Sequence, residues 1–312
     1  MSGDPIEIVN LRKQFKEFVA VNDLTFSVKK NSFTGFLGPN GAGKSTTLKI
    51  LTNLINATSG SAYLNGIDVT VDAKNALKGV GTVVETPEFY GYLTPNQTFQ
   101  YIGSIYGMNK ESIKAQTAEI LADVKMAEWA DKKIGTFSKG MKQRVSLGLS
   151  LLDDPSIIIL DEPTSGLDPR GMAETRDVLK NLRRKNNNLT ILMSSHMLHE
   201  VSDLCDRITM INHGTMLMEG KMEDVLGANN YRNITMKVVG GPNDETIRAL
   251  SAISSVKDPQ VVGTSIKFGF KGGDEDQQQL LNEITGKGIK VFSFNEDEAL
   301  ENIYLNMIKE SR

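Results

Sequence analysis

The 312 residues leave room for about two domains of ~150 residues, each large enough to bury its own core, which rules out a mini-protein. Lys and Arg total 35 against 38 Asp and Glu, for a net charge of −3 and a pI of about 5.8, so no polyanion-binding surface dominates and nucleic acid is not an expected partner. With 39% hydrophobic and 23% charged residues the composition is that of a folded globular protein, and a single cysteine, Cys205, rules out an intrachain disulfide or a cysteine-built zinc site and fits a reducing compartment.

Met1-Ser2-Gly3-Asp4-Pro5 carries no apolar leader pattern, and no apolar run approaches the ~18 residues of a membrane span, so a membrane role is expected to be borrowed from a partner. From Ile6 to about Leu226, β-rich stretches alternate with helical patterns, the order of an α/β core with a largely parallel sheet. Ile6 to Asn10 and Leu24 to Val28 read as added edge strands. Ser32 to Leu37 reads as a strand entering a glycine loop, and Lys44 to Leu54 as the helix leaving it, with Leu48 and Leu51 turned inward. Between Glu88 and Leu152 the strand signals stop. Thr94-Pro95-Asn96-Gln97 combines a capping box with proline at the first helical position, and Glu111 to Lys125 is a second helical stretch, so residues 88–152 are expected to form a helical insert.

Strands return at Ser156 to Leu160, Leu189 to Met193 and Arg207 to Ile211, separated by helices at Pro169 to Lys185 and Met197 to Leu204. Gly227-Ala228-Asn229-Asn230 reads as a linker, which places one domain at residues 1–226 and a second at 231–312. The second domain is expected to run Tyr231 to Val239 (strand), Asp244 to Ile253 (helix), Val256 to Val262 and Ser265 to Phe270 (strands), Asp274 to Thr285 (helix), Ile289 to Phe294 (strand) and Asp297 to Ile308 (helix). Its first six elements follow the split β-α-β order of ferredoxin-like α+β domains, with Gly263-Thr264 as a two-residue hairpin turn.

Gly38-Pro39-Asn40-Gly41-Ala42-Gly43-Lys44-Ser45, followed by Thr46, satisfies the P-loop pattern between a strand and a helix. Glycines let backbone N–H groups converge on phosphate oxygens, and the helix adds its positive end. Lys44 is expected to reach the β and γ phosphates, and the Ser45 hydroxyl to ligate Mg2+. Ile157 to Leu160 then delivers Asp161-Glu162-Pro163 at the carboxyl end of an apolar strand, where ligands bind in open α/β sheets. Asp161 is expected to hold Mg2+ through water, leaving Glu162 to orient or deprotonate the attacking water, while Pro163 disfavours a helical conformation at Glu162.

Phe137-Ser138-Lys139-Gly140-Met141-Lys142-Gln143-Arg144 resembles the signature sequence of ABC ATPases, and Ser165-Gly166-Leu167-Asp168 and His196 resemble the family's D-loop and switch histidine. The resemblance covers about residues 4–222. It implies a P-loop ABC cassette with an N-terminal antiparallel β-subdomain, and ATP hydrolysis in a head-to-tail homodimer in which the signature of one subunit closes over the nucleotide of the other. Ser138 and Gly140 open a helical pattern, so a hydroxyl and N–H groups there suit a γ-phosphate. Without the family, Ser138 is an N-cap, His196 a polar residue after a strand and Phe15 a core phenylalanine. With it, His196 is placed at the γ-phosphate and Phe15 where the family stacks an aromatic ring on adenine. No Asn-Lys-x-Asp guanine-reading sequence occurs, which favours ATP over GTP.

Three positions depart from the family pattern. Lys139 and Met141 replace the usual signature glycine and glutamine, as in some single-cassette exporter subunits, and Glu85 stands where the family carries its Q-loop glutamine. A carboxylate at that position still suits Mg2+ but adds negative charge near the phosphates; a strand-end carboxylate facing solvent is the alternative.

The implied function is the ATP-binding subunit of an ABC transporter, most like the separate-chain exporter type. It would be peripheral on the cytoplasmic face of the membrane and would contact a permease through the helical insert, the Glu85 loop and Phe89, Tyr90, Tyr92 and Leu93. Those aromatics suit internal packing equally well. Leu300 to Leu305 resembles the terminal helix of the accessory domain of exporter ATPases. A soluble ABC ATPase acting on ribosomes or nucleic acid is the alternative, disfavoured by a single cassette, no long coiled-coil insertion and the acidic balance. An unrelated P-loop kinase or GTPase does not account for the signature segment.

Overall fold

The computed structural model describes residues 3–227, 231–296, 300 and 303–304. The backbone divides into two compact units, Met1–Met222 and Glu223–Arg312.

In the first unit, β1 (Ile6–Phe15) and β2 (Phe18–Val28) form a hairpin. There follow β3 (Phe33–Leu37), α1 (Lys44–Leu51), β4 (Ser59–Leu64), β5 (Ile67–Asp68), α2 (Ala73–Ala76) and β6 (Val80–Val83). The helical insert holds α3 (Pro95–Ile105), α4 (Lys110–Asp123) and α5 (Lys139–Leu149). The core then resumes with β7 (Ile157–Asp161), α6 (Pro169–Lys185), β8 (Thr190–Ser195), α7 (Leu198–Leu204), β9 (Arg207–Asn212) and β10 (Thr215–Lys221), before α8 (Met222–Gly227) at the boundary.

The six-stranded core sheet has the order β10-β9-β3-β8-β7-β6, with β9 antiparallel to β10 and every other pair parallel. All five residues of β3 and the first four of β7 are buried, as expected for central parallel strands covered on both faces. β9 turns into β10 through His213 and Gly214, both at positive φ (47° and 76°), the geometry of a two-residue hairpin whose twist matches its strands.

Ile6 to Asn10 and Leu24 to Val28 are not edge strands of this sheet. They belong to a separate antiparallel sheet of order β2-β1-β4-β5; β4 and β5 are not among the expected strands, although Asn65-Gly66 between them, at φ 50° and 79°, is a two-residue hairpin signal. The reason is facial burial. Ile6, Ile8, Leu24 and Phe26 share one core cluster with Phe36, Leu48 and Ile159, and the Phe26 and Phe36 rings stack at 5.1 Å. Laying this face over the core sheet removes those side chains from water at about 1.5–3 kcal/mol each, which edge pairing alone would forgo.

Within the insert, Thr94 and Gln97 form the expected capping box and Ser138 caps α5 by accepting from the Met141 N–H. The second unit runs β11 (Arg232–Val238), α9 (Asp244–Ser251), β12 (Val256–Val262), β13 (Ser265–Phe270), α10 (Asp274–Gly286) and β14 (Val291–Glu296). Its antiparallel sheet has the order β12-β13-β11-β14, the ferredoxin-like arrangement, over a core that includes Ile234, Met236, Phe268, Leu250 and Leu280. Most of the linker at 227–230 and most of the expected helix at 297–308 lie outside the described residues.

Candidate active site

Three neighbouring strands, β3, β8 and β7, end together. Leu37 pairs with Ser195 and Asp161 with Ser194, so the P-loop, the Ser194-Ser195-His196 segment and the Asp161-Glu162 pair emerge in one row at the carboxyl edge of the sheet. Ligands bind at that edge in open α/β folds.

The P-loop wraps the start of α1, whose N-cap, Gly43, offers no side chain to its first N–H groups. Those donors are free for an anion and add to the helix dipole. Gly43 is held at φ 102°, and a Cβ there would stand 2.5 Å from the Ala20 carbonyl oxygen. Ala42 O accepts from the Gly214 N–H at 2.9 Å, so β2 and the β9–β10 turn buttress the loop from outside. Gly43→Ala is therefore expected to destabilise the first unit by about 1–3 kcal/mol through left-handed strain alone, with the Ala20 contact adding to it; urea unfolding measures the loss.

Lys44 is 4% exposed. Its Nζ donates to Gly38 O (2.8 Å) and Pro39 O (3.2 Å) and lies 3.4 Å from Glu162 Oε1. Burial lowers its pKa, opposed by the Glu162 and Asp161 charges. For Glu162, burial pushes the carboxyl up, but the Lys44 charge and the His196 contact more than offset this and hold it below its ordinary value. The second oxygen, Oε2, is 3.1 Å from His196 Nδ1. Glu162 therefore stands between a cation and an imidazole, with its backbone at φ 43°.

Asp161 Oδ1 accepts from Ser45 Oγ (3.1 Å) and Ser194 Oγ (2.6 Å), and Ser194 Oγ accepts from the Glu162 N–H (2.9 Å). The signal for Ser194 in the sequence is the serine pair that precedes His196. Among the described residues no group of three or more His, Cys, Asp or Glu side chains forms a metal cage. Mg2+ needs none, since it takes hard oxygen donors, keeps several waters and shares substrate phosphates. The Ser45 hydroxyl and Asp161 carboxylate fit that role.

Glu85 lies at φ 75°, exposed, and pairs with Lys49 at the end of α1. It lines one pocket with Ser45, Asp161, Glu162, Lys139 and Ser165, so its negative charge is local to the site and is met by Lys49. Lys139, a departure from the family pattern, donates to the Ser165 carbonyl (3.1 Å). Asp168 caps α6 by accepting from the Gly171 N–H (3.0 Å). Phe15 is 45% exposed, so it is not a core residue, and the Lys13 ammonium sits over its ring, Nζ 4.8 Å from the ring centre. Among the described residues, Ser138 and Gly140 make no hydrogen bond to the P-loop of their own chain.

Residues 21–165 match the family described as ABC transporter. The chain is 32% identical over 305 residues to the linearmycin resistance ATP-binding protein LnrL of Bacillus subtilis, an alignment covering 97% of each. It is 37% identical over 220 residues to the Nod factor export ATP-binding protein I of Burkholderia orbicola, covering 70% of this chain and 72% of that one. A solved structure described as the ATP binding subunit of an ABC transporter superposes with a TM-score of 0.63 at 26% identity, over 72% of this chain and 92% of that one. With a P-loop, paired carboxylates and His196 converging at one sheet edge, this chain belongs to the ABC transporter family as one of its ATP-binding, ATP-hydrolysing members.

Proposed function

We propose that this chain energises an exporter as a head-to-tail homodimer on the cytoplasmic face of the membrane, joined to a separate permease. The observation that carries the dimer is the placement of Ser138. Its hydroxyl accepts from the Met141 N–H and keeps its own proton to donate, and with the N–H groups of α5 left uncapped it suits a phosphate oxygen; among the described residues no hydrogen bond ties it to Lys44 or the P-loop of its own chain. A second copy supplies the P-loop it lacks.

Within one site, Lys44 exchanges its bonds to Gly38 and Pro39 for charge-assisted bonds to the β and γ phosphates. Glu162 takes a proton from a water as the water oxygen bonds to the γ phosphorus and the bond to the bridging oxygen breaks, releasing ADP and phosphate. His196 Nδ1 holds the Glu162 carboxylate, and Phe15 stacks on adenine. Ser45 and Asp161, with Glu85 nearby, would hold Mg2+, which would neutralise phosphate charge when bound. Because ATP binds the closed dimer better than the open one, its hydrolysis performs work on a partner.

Export is supported by the relative named for Nod factor export. Permease docking is supported by an exposed aromatic group on the insert: Tyr90 packs on Tyr92 (5.7 Å) and Tyr101 (6.3 Å), each about half exposed or more, while Phe89 and Leu93 are half-buried. Among the described residues no helix is long and apolar enough to cross a membrane. Ser138→Arg is expected to abolish ATP-dependent dimerisation in sedimentation while leaving single-site nucleotide affinity largely intact; equal dimer formation with and without the change would contradict the shared site. Pull-down from membranes is expected to recover a multi-span permease, and recovery of ribosomes or DNA instead would sink the transport reading.

A further inference from the structure

Glu200, on α7, is 1% exposed and has no part in the chemistry described above. Its Oε2 accepts from Thr164 Oγ1 at 2.7 Å and faces Ser195 Oγ at 3.3 Å. Thr164 stands two residues after Glu162, and Ser195 one residue before His196. Each of these lies in a closed turn: the Ser165 N–H donates to Glu162 O (3.0 Å), and the Met197 N–H donates to Ser195 Oγ (2.9 Å). One carboxylate thus joins the turn of the proposed base to the turn of the histidine that holds it.

Two further observations set Glu200 apart from a packing residue. Its Oε1 is buried without a hydrogen-bond partner, a desolvation cost that an apolar side chain of similar volume would avoid. Glu162 itself sits at φ 43°, a state that a glutamate keeps only where its surroundings over-determine the backbone. A tether at Thr164 provides such a restraint.

We infer that Glu200 is a positioning residue for ATP hydrolysis, pinning the Glu162 turn to the His196 turn and so preserving the 3.1 Å contact between the two side chains. The inference rests on the assignment of Glu162 and His196 made under Proposed function. A misplacement of the base relative to the phosphate costs turnover, while Lys44 and the P-loop, on β3 and α1, keep binding nucleotide.

The test uses the full chain and two readouts, steady-state ATPase kinetics and the imidazole NMR signals. The chain has three histidines, so His196 is assigned by the signal lost in His196→Gln. Glu200→Leu is expected to lower kcat by about 10- to 100-fold, to change KM for ATP by no more than about threefold, and to move the His196 signal while His213 stays in place. Glu200→Gln keeps an acceptor oxygen for Thr164 and is expected to recover kcat to within about threefold of wild type and to restore the signal. Wild-type kcat with an unmoved His196 signal in Glu200→Leu overturns the inference, as does a Gln variant that is as impaired as Leu.

Should Glu200→Leu not fold, Thr164→Val removes one hydroxyl at nearly constant volume. It is expected to reproduce the kcat loss at an unchanged melting temperature, and an unaltered kcat overturns the tether. Active Glu200 and Thr164 variants beside an inactive Glu162→Gln would reject this inference alone, whereas wild-type turnover in Glu162→Gln would reject the underlying assignment.

Discussion

Glu162→Gln is expected to lower ATP turnover by about 100-fold or more, within the range for a general base, while binding ATP as wild type does. The glutamine keeps the shape and an acceptor for His196 Nδ1 but cannot take a proton from water. It also removes the charge 3.4 Å from Lys44 Nζ, a charge that raises the lysine pKa against burial. Turnover by phosphate release, with ATP affinity by calorimetry, measures both; a wild-type rate would remove Glu162 from the chemistry.

The same ion pair sets a pH dependence with a defined sign. Lys44 and His196 hold the folded-state pKa of Glu162 below its ordinary value. The contribution of the pair to stability is therefore fully present above the ordinary carboxylate pKa and is lost as pH falls through the lowered folded value. Glu162→Gln should flatten that part of the acid-unfolding profile.

Lys44→Met is expected to weaken ATP binding by about 30-fold or more, because a buried, hydrogen-bonded charge that meets an anion is costly to remove. The fold is weakened too. Met relieves the desolvation of the buried cation, but it leaves Glu162 without its partner and the Gly38 and Pro39 carbonyls without their donor, so the melting temperature is expected to fall. Lost ATP affinity by calorimetry, measured below the melting temperature of the variant, places the residue in binding; unchanged affinity would deny it a phosphate contact.

Much of the site was legible because its signals are local. The P-loop requires glycines, lysine and serine within eight residues, and the strand Ile157–Asp161 ends in its carboxylates within the same short segment. Caps are equally short-range: Thr94 with Gln97, and Ser138 with Met141, act across three residues. The second domain's element order followed from alternating patterns and a single hairpin turn. By contrast, Ser194 and Glu200 look like ordinary polar residues in sequence, since their partners Asp161 and Thr164 lie 33 and 36 residues away. The Lys49 that neutralises Glu85 sits 36 residues upstream, on a helix read only for its apolar face.

The amino-acid sequence by itself determined the identity of the phosphate loop, the paired carboxylates and the α/β alternation, since each depends on residue types within one turn or one strand. Only the tertiary structure decided that β8 lies between β3 and β7, that β1 takes β4 as its second neighbour, and that Glu200 joins two turns. Strand neighbours far apart in the chain are chosen by which apolar faces can be buried together, and that choice is written in no single segment.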